Sequence, residues 1–275
     1  MKRDVELIIE IAGQKDLHFK IAVIHAEVDR EQVRDSLRQG KVKPLGPVPP
    51  LQESDLDEAV RIVGQMGIEP LIGALEIGAQ VIVAGRAYDP AVFAAPACKS
   101  GCKTGPAIHM GKILECGVAI ASTPGSGSDC LLGRIGQGYF EVETLNPARV
   151  CTVTSVAAHT LYEKSDPLHL PFPGGHLDLK ETRFEQVAKN RVKVTGSKFV
   201  PAQKYTVKLE GVKKVGFRTV AIAGCRDPVM IREIDHVIEV VRERTRDNFS
   251  GTMGNYSLGF KIYGKNGVMG VFWSQ

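Results

Sequence analysis

The sequence predicts a mixed α/β fold in which a mostly parallel sheet with flanking helices precedes a smaller antiparallel α+β part. In the first half of the chain, short apolar segments alternate with amphipathic ones, which is the pattern of parallel strands joined by helical crossovers. After residue 180, short strand-like segments follow one another with only turns between them, which favours antiparallel pairing. We therefore expect an α/β domain with crevice loops over residues 1–144 and an α+β domain over residues 145–275.

The first domain is predicted to alternate helices with buried strands. Helices are expected at residues 5–12, 29–40, 55–66, 70–77, 90–95 and 106–116, and strands at 18–24 and 81–84. Asp29 and Ser54 are N-cap residues in this interpretation, because their side chains can accept hydrogen bonds from free N–H groups of the first turn. Residues 41–50 contain four prolines and are expected to be irregular.

The second domain is predicted to contain two helices and several hairpins. We expect a helix at 155–164, antiparallel strands within 182–223, a helix at 228–246 capped by Asp227, and a C-terminal hairpin within 257–272. Residues 167–175 contain three prolines and two glycines, and are expected to form a loop that covers a crevice.

Composition excludes several classes of function. The 35 basic and 31 acidic residues are scattered and give a net charge of only +4, which argues against a nucleic-acid partner. Glutamates interrupt the apolar N-terminal segment, which argues against a signal peptide, and no segment approaches the ~20 apolar residues of a membrane span. The six cysteines lack a dense framework and predict free thiols in a reducing cytoplasm. For Cys98 and Cys102 an exposed loop is favoured over a zinc site.

The segment from Val81 to Pro90 is the first candidate for a functional site. Four apolar residues form a buried strand, Gly85 ends it, and Asp89-Pro90 begins a helix. Loops at the carboxyl ends of parallel strands line ligand crevices in open α/β sheets. Arg86, Tyr88 and Asp89 are therefore predicted to bind substrate. The alternative is that Asp89 only caps its helix and Arg86 only pairs with a neighbour.

Two further candidates follow along the chain. His109 and Lys112 share a face of the predicted helix 106–116 and suit acid–base work, although such residues are often only solvated or capping. A serine-glycine loop with Gly125, Ser126, Gly127 and Ser128, ending at Asp129, resembles a cradle for an anion. This loop lacks the lysine of a phosphate-binding loop and the spacing of a dinucleotide fingerprint, so an ordinary loop is the alternative.

His159 and Glu163 form the last candidate pair. They are four residues apart on the predicted helix 155–164, so the carboxylate can hold the imidazole in one tautomer, as a general base requires. A partly buried histidine that is merely satisfied by the glutamate is the alternative.

Several runs of residues together resemble the acyclic terpene utilisation family (AtuA). The matching runs lie at Gln65–Pro70, Val81–Ala94, His109–Gly117, Ser155–Pro167, Tyr205–Gly211 and Gly264–Gly270. The resemblance implies a catabolic protein that acts on branched unsaturated acyl substrates or their CoA thioesters. Family members extend further at both ends, which implies a fragment or a short member here. The polar residues that the family shares coincide with the candidate positions above.

With that resemblance we expect a cytoplasmic hydratase or isomerase of a branched acyl-CoA. His159 and Glu163 would supply the base, and Lys112 or Asp129 the proton. Arg86 and the amides of residues 125–128 would bind the oxyanion or a CoA phosphate. No metal and no cofactor is expected beyond the CoA moiety of the substrate, and we expect a homo-oligomer or a complex with carboxylase-type subunits. The alternative is a non-catalytic subunit or acyl-binding module that partners an acyl-CoA carboxylase.

Overall fold

The computed structural model describes residues 1–122, 129–162, 166–251, 255–265 and 267. The helices in these ranges are α1 (Lys2–Gln14), α2 (Arg30–Arg38), α3 (Glu53–Glu58), α4 (Glu69–Glu76), α5 (Asp89–Lys99), α6 (Thr104–Ile120), α7 (Val153–Leu161), α8 (Pro228–Arg232) and α9 (Ile234–Phe249). The strands are β1 (Ile21–Ile24), β2 (Ala59–Gly64), β3 (Val81–Ala84), β4 (Leu131–Ile135), β5 (Tyr139–Thr144), β6 (His169–Phe172), β7 (Gly175–Asp178), β8 (Arg183–Ala188), β9 (Arg191–Thr195), β10 (Lys198–Pro201) and β11 (Leu209–Lys213).

The strands form one parallel and three antiparallel sheets. β1 and β3 pair in parallel, with Ile21 opposite Val81 and Ile24 opposite Ala84. The antiparallel sheets have the strand orders β10-β7-β6, β11-β2 and β4-β5-β9-β8. The mixed α/β class is therefore confirmed, and the parallel pairing joins the two strands that the apolar segments of the first half predicted.

Two compact units divide the chain, Met1–Val215 and Gly216–Gln275. The boundary predicted after residue 144 lies inside the first unit and stays a prediction. The second unit contains α8 and α9, which begin after Asp227 and Glu233. The predicted cap is confirmed, because the Asp227 carboxylate accepts a hydrogen bond from the Met230 N–H at 2.7 Å. None of the helices in the described ranges is both long and apolar enough to cross a membrane.

The helix predicted at 55–66 is wrong in its second half. The chain forms the short helix α3, whose N-cap is Gln52 rather than Ser54, and then continues as β2. β2 pairs with β11, so that Ile62 lies opposite Gly211. Pairing with a strand about 150 residues away overrides the helical periodicity of this segment.

The loop predicted at 167–175 is also wrong. Residues 169–178 form the antiparallel β6–β7 hairpin, which turns at Pro173 and Gly174. Pro171 is tolerated because β6 is an edge strand, where a missing N–H group breaks no ladder. Gly174 has φ +79°, which a glycine adopts without strain.

The remaining strands of the second predicted domain are confirmed in part. β8 and β9 lie close to the predicted positions, and β10 was not foreseen. Residues 205–208 and 215–223 form no strand, and neither do residues 257–262 of the expected C-terminal hairpin. The second half of that hairpin lies outside the described residues. The helix predicted at 155–164 is α7, which ends at Leu161.

A close contact between α5 and α6 organises the main core. A Cβ atom at Gly111 of α6 would lie 2.4 Å from the carbonyl oxygen of Pro90 in α5, so only glycine permits this approach. α6 also packs against α7 and against the sheet β4-β5-β9-β8, where Phe140, Val142 and Val194 are completely buried. α6 is therefore enclosed by protein on opposite sides, although its sequence predicts one core-facing side.

Two helical glycines allow a matched test of this contact. Gly73 in α4 has nothing within 4 Å of an added Cβ, so Gly73→Ala should stabilise the protein by roughly 0.5–1 kcal/mol through helix propensity. Gly111→Ala gains the same propensity but forces α5 and α6 apart, and should destabilise the protein by roughly 1–3 kcal/mol. Urea unfolding followed by circular dichroism measures both values. Equal stabilisation by the two variants would contradict the close contact.

Candidate functional site

Lys112 lies in the protein interior together with an acidic partner. Its side chain is only 3% exposed, and its ammonium binds the carboxylate of Glu115, which is three residues further along α6 and 11% exposed. The ammonium also lies 5.7 Å from the centre of the Tyr162 ring, a distance at which a cation is attracted to the ring face. A buried ion pair adds little to stability, because desolvation offsets the attraction, so this pair is a candidate for function.

A narrow cleft begins at Lys112. The space between its walls is about 170 Å³ and is too narrow for a water molecule. Its lining is apolar except for Lys112 and Tyr88, and consists of Tyr88, Pro90, Ile108, Lys112, Leu170, Pro171, Phe172 and Leu177. Three elements therefore build the cleft: the start of α5, one face of α6, and the β6–β7 hairpin.

Tyr88 supplies the second polar group of the cleft. It precedes α5 as its N-cap residue, so the helix begins at Asp89, one residue earlier than the start predicted at Pro90. Its ring packs edge-to-face against Phe172, with ring centres 5.1 Å apart. Burial, followed by the negative charge of Glu115, raises the pKa of the Tyr88 phenol to about 12. The phenol therefore keeps its proton at neutral pH and is a hydrogen-bond donor.

His109 lies one turn before Lys112 but in the core, where it is completely buried. Its Nδ1 is 2.7 Å from the Ser197 hydroxyl and its Nε2 is 3.0 Å from the Thr160 hydroxyl. The Thr160 hydroxyl donates its hydrogen to the Val156 carbonyl, which leaves its oxygen to accept from Nε2–H. Nδ1 then accepts from Ser197. The ring is neither solvated nor capping, and its predicted role in binding stays a prediction.

The imidazole of His109 is held in its neutral form. Burial, followed by the nearby charge of His159, lowers its pKa from 6.5 to about 3. Phe140 packs edge-to-face on the ring at 5.1 Å. Such a histidine links α6, α7 and the β9–β10 turn, and it is poorly suited to gain a proton at neutral pH.

His159 is completely buried on α7. Its ring lies 5.9 Å from the ring of Tyr162, which also contacts Lys112. Tyr162 therefore contacts both the predicted base and the ammonium. The second member of the predicted pair, Glu163, lies outside the described residues, as do Gly125, Ser126, Gly127 and Ser128 of the predicted anion cradle.

Arg86 and Asp89 belong to a more exposed set of charges. Arg86 Nε donates to Glu210 of β11 at 2.9 Å, and its guanidinium is 3.6 Å from Asp89. Lys208 also binds Glu210, and these two cations lower the pKa of that carboxyl. The pairing of Arg86 that the sequence left open as an alternative is thus present, and a substrate anion would have to compete with Glu210.

Asp129 forms a separate group with residues of the β4–β5 region. Its carboxylate accepts from the Asn146 amide at 2.7 Å and lies 3.6 Å from Arg149. The Asn146 amide, the Cys130 N–H and Arg149 lower the pKa of the Asp129 carboxyl. A carboxyl that favours its ionised form is a weak proton donor at neutral pH.

The fold thus brings Tyr88 and Lys112 into one cleft and places the rings of His159 and Tyr162 in contact, whereas Arg86, Asp89 and Asp129 have other partners. Sequence reasoning did not select Tyr162 or the hairpin residues Leu170, Phe172 and Leu177. Alternation of apolar residues within 168–172 was a usable signal, but the prolines concealed it. Within the ranges that the structure describes, no three His, Cys, Asp or Glu residues are placed to hold a metal ion.

The chain is a mixed α/β protein that has a buried lysine beside an apolar cleft. Residues 2–269 match the family described as acyclic terpene utilisation family protein AtuA. The chain belongs to this family, and its membership connects it with the utilisation of acyclic terpenes. No curated protein and no solved structure matches the chain.

The neutral His109 predicts a defined loss of stability in acid. Between pH 6.5 and 3 the unfolded chain binds a proton at this site and the folded chain does not, so the free energy of unfolding should fall as pH falls. The contribution approaches ~1.4 kcal/mol per pH unit inside that window and is absent above it. His109→Gln should reduce this slope, measured by urea unfolding at several pH values. His18→Gln, at a histidine that is 86% exposed, is the control for the substitution itself.

Proposed function

We propose that the protein is a hydratase or isomerase of branched, unsaturated acyl substrates, most concretely a hydratase of an acyl-CoA thioester in the cytoplasm. The observation that supports this most directly is a buried ammonium, Lys112, and a protonated phenol, Tyr88, in one otherwise apolar cleft. Because the cleft admits no water molecule in this structure, the proposal requires the β6–β7 hairpin to move away from α6 when an apolar chain that ends in a carbonyl group binds. Family membership is consistent with substrates derived from acyclic terpenes.

Hydration of a conjugated thioester needs a base and an oxyanion site. A base takes one proton from water, and the water oxygen forms a bond to the β-carbon. The electron pair of the carbon–carbon double bond shifts toward the carbonyl, so negative charge develops on the thioester oxygen. A proton delivered to the α-carbon then restores the carbonyl, and the net change is the addition of one water. This sequence needs no redox cofactor, and CoA enters only as part of the substrate.

Lys112 and Tyr88 are the groups that best fit the oxyanion site. Both donate hydrogen bonds and both line the cleft, where the exclusion of water strengthens their effect on a developing charge. Glu115 holds the ammonium in place. Lys112 is also the better proton donor of the two candidates, since the lowered pKa of Asp129 leaves that carboxyl ionised at neutral pH.

His159 is the proposed base, with Glu163 as its support. Tyr162 contacts both His159 and Lys112, so a displacement of this ring would connect the imidazole with the cleft. Tyr162 is 40% exposed, and the proposal requires its ring to move when the substrate binds. Arg86, Asp89 and the amides of residues 125–128 remain proposed contacts for the CoA phosphates, and His109 for substrate binding.

The proposal predicts a selective loss of turnover. Lys112→Met keeps the length of the side chain and removes its charge, and His159→Gln removes the base. Each should lower kcat by roughly 10²–10⁴-fold. The measurement is the ultraviolet absorbance of a conjugated, methyl-branched enoyl-CoA as water adds to it. Lys99→Met, at an exposed lysine at the end of α5, is the matched control and should keep full turnover.

Two outcomes would contradict this assignment. Absence of hydration and of double-bond migration in the wild-type protein would reject the enzyme. Full turnover in a folded Lys112→Met variant would reject the cleft as its site.

A non-catalytic subunit that partners an acyl-CoA carboxylase is the second candidate. Large apolar side chains around residues 217–222 favour it, because Phe217 is 92% and Ile222 is 94% exposed. Exposed apolar groups of this kind often mark a protein interface. Native mass spectrometry with carboxylase subunits tests the idea: a stable hetero-complex without enoyl-CoA turnover by this chain favours the subunit, and a turning-over homo-oligomer favours the enzyme.

A further inference from the structure

The outer face of the β6–β7 hairpin carries two histidines. Burial alternates along both strands, so that Leu170, Phe172 and Leu177 are buried, whereas His169 and His176 are partly exposed. Successive side chains of a strand point to opposite faces of its sheet. Because the three buried residues line the cleft, both imidazoles lie on the face that is directed away from it.

The pairing register of the hairpin brings these two imidazoles together. His169 lies opposite Asp178 and His176 lies opposite Pro171, so the two histidines are diagonal neighbours on adjacent strands. Their ring centres are 5.6 Å apart. A divalent metal lies about 2.1 Å from each imidazole nitrogen that binds it, so two rings on one ion have centres roughly 5–6 Å apart. The observed separation therefore suits one ion held by both rings.

Asp166 determines the tautomer of His169. One of its carboxylate oxygens accepts hydrogen bonds from the backbone N–H groups of Leu168 at 2.8 Å and His169 at 3.0 Å, and the other lies 3.1 Å from His169 Nδ1. The Leu168 N–H, followed by His169, lowers the pKa of this carboxyl, which therefore stays ionised and accepts the Nδ1 hydrogen. Nε2 of His169 then has the lone pair that a metal ion needs. A carboxylate behind the imidazole is the usual second partner of a metal-binding histidine.

The backbone beneath both rings is held by the sheet. β7 is the central strand of the order β10-β7-β6, and His176 lies opposite Val200 of β10 as well as Pro171 of β6. Two rings that start from one ladder approach a common ion without the ordering of a loop. The entropic cost of binding is correspondingly small.

We propose that His169 and His176 form a binding site for a divalent transition metal ion of the Ni²⁺, Cu²⁺ and Zn²⁺ class. Imidazole nitrogen suits these ions, whereas Mg²⁺ and Ca²⁺ prefer oxygen ligands. Among the residues that the structure describes, no third His, Cys, Asp or Glu is placed to complete the site, so water fills the other coordination positions. Asp166 is a positioning residue. The inference is independent of the proposed hydratase, because the site lies on the other face of the hairpin.

Isothermal titration calorimetry with nickel chloride tests this site on the full chain without a polyhistidine tag. His169→Gln and His176→Gln each remove one imidazole from a partly exposed position. His18→Gln is the matched control, since His18 is 86% exposed and also lies beside a carboxylate, that of Asp16 at 3.9 Å. Magnesium chloride controls for weak association with surface carboxylates.

Nickel should occupy one site on the wild-type chain, and magnesium should not bind there. Either histidine variant should weaken nickel binding at this site by roughly 10²-fold, because the second imidazole binds at a high effective concentration. His18→Gln should keep the wild-type affinity. Unchanged nickel affinity in a folded His169→Gln or His176→Gln variant would reject the site, and so would the absence of nickel binding to the wild-type protein.

A matched pair of variants tests the role of Asp166. Asp166→Asn and Asp178→Asn each remove one negative charge beside His169, but only Asp166 lies at its Nδ1. Asp166→Asn should weaken nickel binding by roughly 10–100-fold, and Asp178→Asn should weaken it less. Equal losses would reject the positioning role of Asp166.

A measurement on the wild-type protein needs no variant to fold. Electron paramagnetic resonance of bound Cu²⁺ reports the number of nitrogen donors through their hyperfine splitting. The site predicts two nitrogen donors on the ion. One donor or none would reject the joint binding of the ion by His169 and His176.

Discussion

The contact between the backbones of α5 and α6 is the constraint on which the cleft depends. Gly111 lets the helices approach until the Pro90 carbonyl occupies the space of a side chain. Gly111 directly precedes Lys112, and Pro90 comes two residues after Tyr88, so the same contact sets the distance between the two polar groups of the cleft. A wider separation would leave water beside the ammonium and weaken its effect on any charge nearby.

His109 and Lys112 are both buried on α6, and their polar groups are stabilised there in different ways. His109 loses its charge, and its two ring nitrogens are satisfied by hydroxyl groups of Ser197 and Thr160. Lys112 binds the carboxylate of Glu115. The first arrangement ties together three elements of the core, whereas the second places an ion pair beside an apolar cleft. Only the second keeps a charged group at the cleft, and for this reason we assign the proposed chemistry to Lys112 rather than to His109.

Residue type and spacing were sufficient to select Tyr88 and Lys112, because a loop after a buried strand and a polar residue on an apolar helix are local signals. They were not sufficient to tell Lys112 from His109, which share a helix face in the sequence. That difference arises from α7 and from the β9–β10 turn, which lie 51 and 88 residues further along the chain. The hairpin that forms the opposite wall was missed for a similar reason, since prolines obscure a strand whose edge position only the sheet reveals.

By itself the sequence determined the elements whose signals lie within a few residues. The strand at 81–84, the helix that follows it, and the caps at Asp29 and Asp227 are of this kind, because apolar runs and side-chain caps act over one turn or one strand. Tertiary structure decided the rest. Residues 59–64 form a strand because they pair with β11. His109 is neutral because three elements enclose it and lower its pKa. Pairing and desolvation depend on partners distant in the chain, and no local pattern encodes which partners will meet.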